Sequence, residues 1–326
     1  MISIQSYGVA FPTLRLSAQA YREAWGSCSA KGLRRKAFCA FDEDPLTLAI
    51  AAARAAMAGG EAQVADVGAL FVGATTWPYE EKPAAATIVT SVLGTAAVRT
   101  VELRGSRQAG LQALLGAAEY VAAHPGRLAL AVAVDAPSGP ADAPYEHALA
   151  AGAAAFVVGA RPGIAAIVGD AAVTVETFGS RFRRHGEAHI HDLELRVDDD
   201  AKSLKALAGV LPSGGSVRLA TGGSGEFAAG AAKQFGGELD GLWPDLGDTG
   251  AAGACIALAH SLDMATVGER ILTLAVGGGA TAVTLDVTAQ AARPAGVIDA
   301  LRAGRDVDYL SYLKHKRVIG AKGAFA

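Results

Sequence analysis

No apolar run in this 326-residue chain reaches the length of a membrane helix. The longest nearly uncharged stretch, residues 147–160, is rich in Ala and Gly. It falls short of the roughly 20 residues a bilayer-spanning helix needs. The opening MISIQSYGVAFP alternates like a strand and lacks the basic flank and long apolar core of a secretory leader. Lys and Arg never run beyond a few residues and the net charge is −3, which argues against nucleic acid as a partner. The densest basic cluster, 181–184, reads as a solvated turn. Low hydrophobicity with high net charge, the mark of disorder, is absent: 51% of residues are hydrophobic and 19% charged. Cysteine is scarce, with 3 in the chain, so not all can pair, and the thiols fit a reducing compartment. Their positions, Cys28, Cys39 and Cys255, match no zinc spacing. A cytoplasmic protein without membrane segment or metal is expected, and the open question is whether one cysteine is a nucleophile.

Short β-rich runs alternate with longer Ala/Leu-rich helical stretches, which predicts α/β layering. In the first half, strands are expected at 2–9, 67–73, 99–103, 128–134 and 153–158, with helices at 45–57, 83–93 and 107–123. Asp44 before Pro45 predicts a helix cap followed by a first-turn proline. In the second half, strands are expected at 164–176, 216–220, 271–276 and 281–287, with helices at 201–211, 224–235 and 250–261. The order of elements repeats although no residue-level repeat exists. Two pseudo-equivalent halves are expected, 1–160 and 161–326. The ARPG at 160–163 lies between them, and a charged tail runs from residue 292.

SYGVAFP and FDEDPLTLAIAAARAA open a series of segments with a family likeness. LFVGATTWPYEEKPAAATIVTSVLG, VELRGSRQAG and APYEHALAAGAAAFVVG continue it. FRRHGE, GDTGAAGACIALAHSL, GERILTLAVGGGAT and the closing YLSYLKHKRVIG extend it through the second half. The chain resembles the 3-hydroxy-3-methylglutaryl-CoA synthase branch of the thiolase superfamily, near ketoacyl-ACP synthase III. It looks shortened around 189–201. The resemblance implies a five-layer α/β/α/β/α thiolase fold, usually dimeric, with Claisen-type chemistry on acyl thioesters. In such enzymes a cysteine at a helix start takes the acyl group. A helix N-terminus lowers the thiol pKa, a base moves a proton and fixed donors hold the developing negative charge.

At the matching positions this chain departs from the pattern. Aligning Ala109 and Gly110 of VELRGSRQAG puts Arg107 where the family has its cysteine. A guanidinium stays protonated and cannot take an acyl group; loss of a nucleophile in a serine protease costs about a millionfold in turnover. Thr75 stands at the family's acidic base, Thr221 at its histidine, and Asp248 at the synthase III asparagine. An aspartate there repels an oxyanion and suits a helix cap. Ser106, one residue early, reads as a cap, with a nucleophilic role as the alternative. His185, His189 and His191 follow FRRHGE, where the branch has a catalytic histidine, so they are candidates for the pocket, with a surface loop as the alternative. His124, His147, His260 and His315 read as helix or loop residues without partners. Gly277, Gly278 and Gly279 read as a tight turn near the pocket rather than a phosphate cradle.

Scaffold segments thus persist while four chemical positions change together. The resemblance then implies a catalytically silent subunit, in a homo- or heterodimer, beside an active thiolase-fold chain. A small zinc-ribbon/OB-fold acyl-CoA-binding protein is a further expected partner. A coenzyme A thioester is a possible ligand, and no other cofactor is expected. Arg104 and Arg107 are expected to fill the pocket or pair with Glu102. The alternatives are a condensing enzyme with a non-standard site and a pure acyl-CoA binder.

Overall fold

A computed structural model describes every residue except 95–96, 142, 177–180, 193–198, 212–216, 240, 293 and 320–326. In chain order the strands are β1 (Ser3–Ala10), β2 (Leu14–Ser17), β3 (Arg35–Phe38), β4 (Val67–Gly73), β5 (Arg99–Leu103), β6 (Leu128–Asp135), β7 (Gly152–Gly159), β8 (Ala165–Thr174), β9 (Arg218–Thr221), β10 (Glu238–Leu239), β11 (Arg270–Val276), β12 (Gly279–Val287) and β13 (Arg305–Val307). The helices are α1 (Ala18–Trp25), α2 (Pro45–Ala58), α3 (Ala84–Leu93), α4 (Ala109–Ala123), α5 (Asp199–Ala208), α6 (Gly225–Phe235), α7 (Trp243–Leu246), α8 (Gly253–Met264), α9 (Val297–Arg302) and α10 (Tyr309–His315).

Ten strands follow the order β10-β9-β11-β12-β8-β1-β7-β6-β4-β5. The two fives are equivalent. In each, the first strand is antiparallel to the fifth, the fifth to the fourth, and the fourth, second and third are parallel. Only two residue pairs, Ser3 with Ala166 and Ile4 with Ala165, stitch them together. Helices α2 and α3 cover the outer face of the first five strands, and α5 and α6 that of the second. Helices α4 and α8 lie between the sheets, giving α/β/α/β/α.

Side-chain alternation explains the spacing of these layers. In β6, Leu128, Leu130, Val132 and Val134 face outward to α2, while Ala129, Ala131 and Ala133 face the central helices. Small residues on the inner face let α4 approach closely; a Cβ on Gly110 would lie 2.2 Å from the Ala251 carbonyl oxygen. Helix α2 begins as the sequence predicts. Asp44 accepts from the Thr47 N–H at 2.7 Å and Thr47 Oγ1 accepts from the Asp44 N–H at 2.8 Å, a reciprocal cap that contributes about 1 kcal/mol.

Some expectations need adjustment. The helix expected from 250 begins with a 3-10 turn, Gly250–Ala252, and is α-helical from Gly253. Helix α4 starts at Ala109 rather than 107. The start of the strand expected at 216 and part of the shortened segment 189–201 lie outside the described residues, as does the tail beyond 319. The tail is more than a charged extension. Strand β13 runs parallel to β2 in a three-stranded sheet, β13-β2-β3. Arg15 is buried and donates to the Leu301 carbonyl at 3.1 Å, so it caps the end of α9. Tyr312 of α10 lies against the buried pair Lys36–Glu146, whose Nζ–Oε1 distance is 2.9 Å, and Tyr21 donates to Glu146 Oε2 at 2.6 Å. No helix among the described residues is long and apolar enough to cross a membrane.

Candidate functional site

The turn between β5 and α4 holds Ser106, Arg107 and Gln108, and it is pinned from the other half of the molecule. Ser106 Oγ donates to the Gly277 carbonyl at 2.6 Å and accepts from the Gln108 N–H at 3.1 Å. Gln108 Nε2 donates to the same carbonyl at 2.7 Å, and its Oε1 accepts from Thr281 Oγ1 at 2.6 Å. The loop can approach only because it is glycine: a Cβ on Gly277 would lie 3.0 Å from Ser106 Oγ. Gly278 and Gly279, both at positive φ, turn the chain back into β12. Ser106 therefore spends its hydroxyl hydrogen on a carbonyl, not on a base that could activate it.

Arg107 points across to α5, where its Nη2 donates to Asp200 Oδ1 at 2.7 Å. Arg104, not Arg107, pairs with Glu102. An open cleft of about 610 Å³ lies on one side of Arg107, lined also by Thr75, Ser106, Arg181, Phe182 and Gly277. On the other side only about 20 Å³ remains, lined by Arg107, Thr221, Asp248 and Phe227 among others. The four positions singled out from the sequence thus meet around one guanidinium. Thr221 Oγ1 donates to the carbonyls of Gly222 and Leu274, each at 3.2 Å.

Asp248 accepts from the Gly250 N–H at 2.9 Å, in keeping with a capping role. It is also ion-paired. Arg181 Nη2 lies 2.6 Å from Asp248 Oδ2, and both side chains are largely buried. This corrects the reading of 181–184 as a solvated turn: Arg183 and Arg184 are exposed, but Arg181 turns inward to a buried carboxylate. Burial raises the Asp248 pKa, but the Arg181 and Arg107 guanidinia and the Gly250 N–H outweigh it and leave the carboxyl below its usual range.

A residue that sequence reasoning passed over organises the floor of the cleft. Asp135, fully buried, accepts from Thr75 Oγ1 at 2.6 Å, from Thr76 Oγ1, and from the N–H groups of Thr76 and Ala251, each at 2.9 Å. Burial pushes its carboxyl above the ordinary range against these hydrogen bonds. Its signal in the sequence is a lone aspartate ending the otherwise apolar LALAVAVD. Thr75 is thereby committed to the Asp135 carboxylate.

The candidate histidines lie around the cleft rather than on its walls; Ile190 is the residue of that segment that lines it. His185 pairs with Glu80 at 2.8 Å in the open, His191 with Glu187 at 2.8 Å, and His189 lies 3.2 Å from Ser138 Oγ. Other histidines do have partners. His147 accepts from the Ser29 N–H at 3.0 Å and packs on Tyr21, His124 lies 2.9 Å from the Tyr120 carbonyl, and His315 packs on Phe41. Burial pushes the thiols of Cys39 and Cys255 up to about 12, the reverse of an activated nucleophile. Neither these nor Cys28 lines the cleft. Among the described residues no group of three or more His, Cys, Asp or Glu could hold a metal ion.

No family model matches the chain. A hydroxymethylglutaryl-CoA synthase of Archaeoglobus fulgidus is 30% identical over 346 residues, spanning 98% of this chain and 100% of that protein. The chain belongs to the hydroxymethylglutaryl-CoA synthase family. The corresponding synthase of Methanocella arvoryzae is 29% identical over 341 residues, with 97% of each chain covered. Among solved structures, MvaS in complex with 3-hydroxy-3-methylglutaryl coenzyme A matches with a TM-score of 0.82 at 19% identity, covering 100% of this chain and 94% of that one. An OleA from Xanthomonas campestris with bound lauric acid and lauroyl-CoA matches at 0.75 and 17%, covering 88% and 99%. These two likenesses show the thiolase-like fold. As a member of the hydroxymethylglutaryl-CoA synthase family, the chain sits among acyl-CoA condensing enzymes.

Proposed function

We propose that this chain is a catalytically silent thiolase-fold subunit that supports an active synthase-like or thiolase-like partner acting on acyl thioesters. One observation carries the reading. At the turn where the family's motif has cysteine, this chain has Arg107, tied to Asp200, with about 20 Å³ of space behind it. A guanidinium offers no electron pair to a thioester carbonyl. Ser106 beside it is bound to a backbone carbonyl, and Thr221 donates to the carbonyls of Gly222, just past its strand, and of Leu274 in β11. Asp248 brings negative charge where an oxyanion would need donors.

What the fold offers a partner is shape. Among the described residues strand β5 ends the sheet and pairs only with β4, and this edge suits a second thiolase-fold chain. The remaining cleft, edged by Arg107, Arg181 and Arg183, suits the anionic end of a coenzyme A thioester, held without covalent attachment. A zinc-ribbon/OB-fold acyl-CoA-binding protein completes the expected assembly. Affinity purification from the native host tests this. Recovery of a second thiolase-fold chain that retains cysteine and histidine is expected; a monodisperse homodimer with no other chain contradicts it.

A further inference from the structure

Lys316 closes helix α10, where its backbone N–H donates to the Tyr312 carbonyl at 2.9 Å. Its side-chain nitrogen enters no hydrogen bond or ion pair among the described residues. Nor is that nitrogen sealed away: the unpaired atoms shut off from solvent include His315 Nδ1 but not Lys316 Nζ. Lys316 borders a cavity of about 480 Å³, between the chain that follows β3, the loops after β4 and β6, and the end of α10. Phe41, Pro78, Tyr79, Pro137 and Leu149 give this cavity an apolar wall. The two carboxylates in the wall are used elsewhere. Glu43 accepts from the N–H groups of Thr13 and Ala40, each at 2.8 Å, and Asp44 caps α2.

Burial holds the Lys316 ammonium below its ordinary range, with Glu146 and Cys39 opposing. Glu146 is already bonded to Lys36 at 2.9 Å, and Lys36 is a second cation that Lys316 repels. A lysine desolvated beside another cation keeps its lone pair, and such lysines attack carbonyl carbons. The Cys39 thiol in the same wall is pushed up to about 12 by burial, so it does not compete as a nucleophile. We propose that Lys316 is the site at which this chain captures a small aldehyde, seated in the cavity by its apolar body and joined to Nζ as an imine. The Nζ lone pair adds to the carbonyl carbon, and the oxygen takes up a proton given up by the nitrogen. The carbinolamine then expels that oxygen as water, which leaves a C=N bond. The capture involves neither thioester nor the cleft at Arg107, so it stands apart from the silent-subunit reading.

Reductive trapping tests it. The full chain is incubated at neutral pH with butanal and sodium cyanoborohydride, and the butylated lysines are mapped and timed by peptide mass. Lys316 is expected to be labelled at least about tenfold faster than the exposed Lys314 two residues before it, the difference in free amine made by one pKa unit. The Lys316 rate is also expected to saturate with butanal, because the aldehyde binds before it reacts. In Lys316→Arg, which keeps the positive charge, the fast label is expected to vanish while the slow labels remain. Labelling of Lys316 no faster than that of Lys314, or a fast label that persists in Lys316→Arg, overturns the capture site. A Lys316 rate that rises in strict proportion to butanal overturns the binding cavity.

Discussion

The Arg107 guanidinium lies 2.7 Å from the Asp200 carboxylate, joining the turn before α4 in one half of the molecule to α5 in the other. The side chains are 24% and 30% exposed, so the pair itself contributes only about 0–1 kcal/mol. A cation at a helix N-terminus costs roughly 0.3–1 kcal/mol, which Asp200 offsets. The consequence is positional: the arginine is held between the open cleft and the small space lined by Thr221 and Asp248.

Restoring the nucleophile alone is not expected to restore chemistry. Arg107→Cys supplies a thiol, but Thr75 remains bound to Asp135 and Thr221 to its neighbouring carbonyls. Thioester condensation, followed by release of free coenzyme A, is expected to stay at background. Turnover by this variant would mean that the base and oxyanion positions are supplied by other residues.

Breaking the Asp248–Arg181 pair is expected to destabilise strongly. Asp248→Ala leaves a largely buried guanidinium without its carboxylate, at a cost of about 3 kcal/mol in urea unfolding. Asp248→Ala combined with Arg181→Met should recover most of the loss. Equal loss in the single and double variants would show that the pair is not the source.

Gly277→Ala tests how closely the loop must approach. Its Cβ would press on Ser106 Oγ and the Arg107 N–H from a backbone with φ of 155°. A loss of about 1–3 kcal/mol is expected. Ser106→Gly in the same background should return part of it, and no loss in the single variant would contradict the packing described here.

The buried Lys36 gives stability a defined pH dependence. Burial lowers its ammonium to about 8, with Glu146 opposing. Above that value the folded chain carries a neutral amine while the unfolded chain, with its ordinary pKa of 10.5, is still protonated. The unfolded state then binds more protons, so this group makes stability rise with pH, by at most about 1.4 kcal/mol per unit. Urea unfolding between pH 8 and about 9.5 in a Cys39→Ala, Cys255→Ala background, which removes the two buried thiols whose raised pKa values act in the opposite sense, reads the slope before the buried tyrosines Tyr21 and Tyr312, which also oppose it, titrate in the unfolded chain. Lys36→Met with Glu146→Leu, which removes both charges together, should flatten it.

The fold was legible because period-2 and period-3.6 patterns in the long elements are set by burial. Residues 67–73 and 99–103 are strands at the expected bounds, and Asp44–Pro45 starts α2. The positions Thr75, Arg107, Thr221 and Asp248 came from the family resemblance, and the structure gathers Thr75, Thr221 and Asp248 about Arg107. The missing parts depend on long-range pairing. Nothing local distinguishes Arg181 from Arg183 and Arg184; it is Asp248, 67 residues away, that Arg181 turns inward to meet. Asp135 shows its role only where Thr75, Thr76 and Ala251 converge on it. Strand β13 was hidden for the same reason, because its partner β2 lies at the opposite end of the chain.

The most direct test of the central claim is the intact mass of the purified chain after incubation with acetyl-CoA. The account predicts an unchanged mass, since it proposes Arg107 at the acyl-attachment turn and Ser106 is held by the Gly277 carbonyl. A chain heavier by one acetyl group, with the modification mapped to Ser106 or to a histidine at 185, 189 or 191, would contradict it.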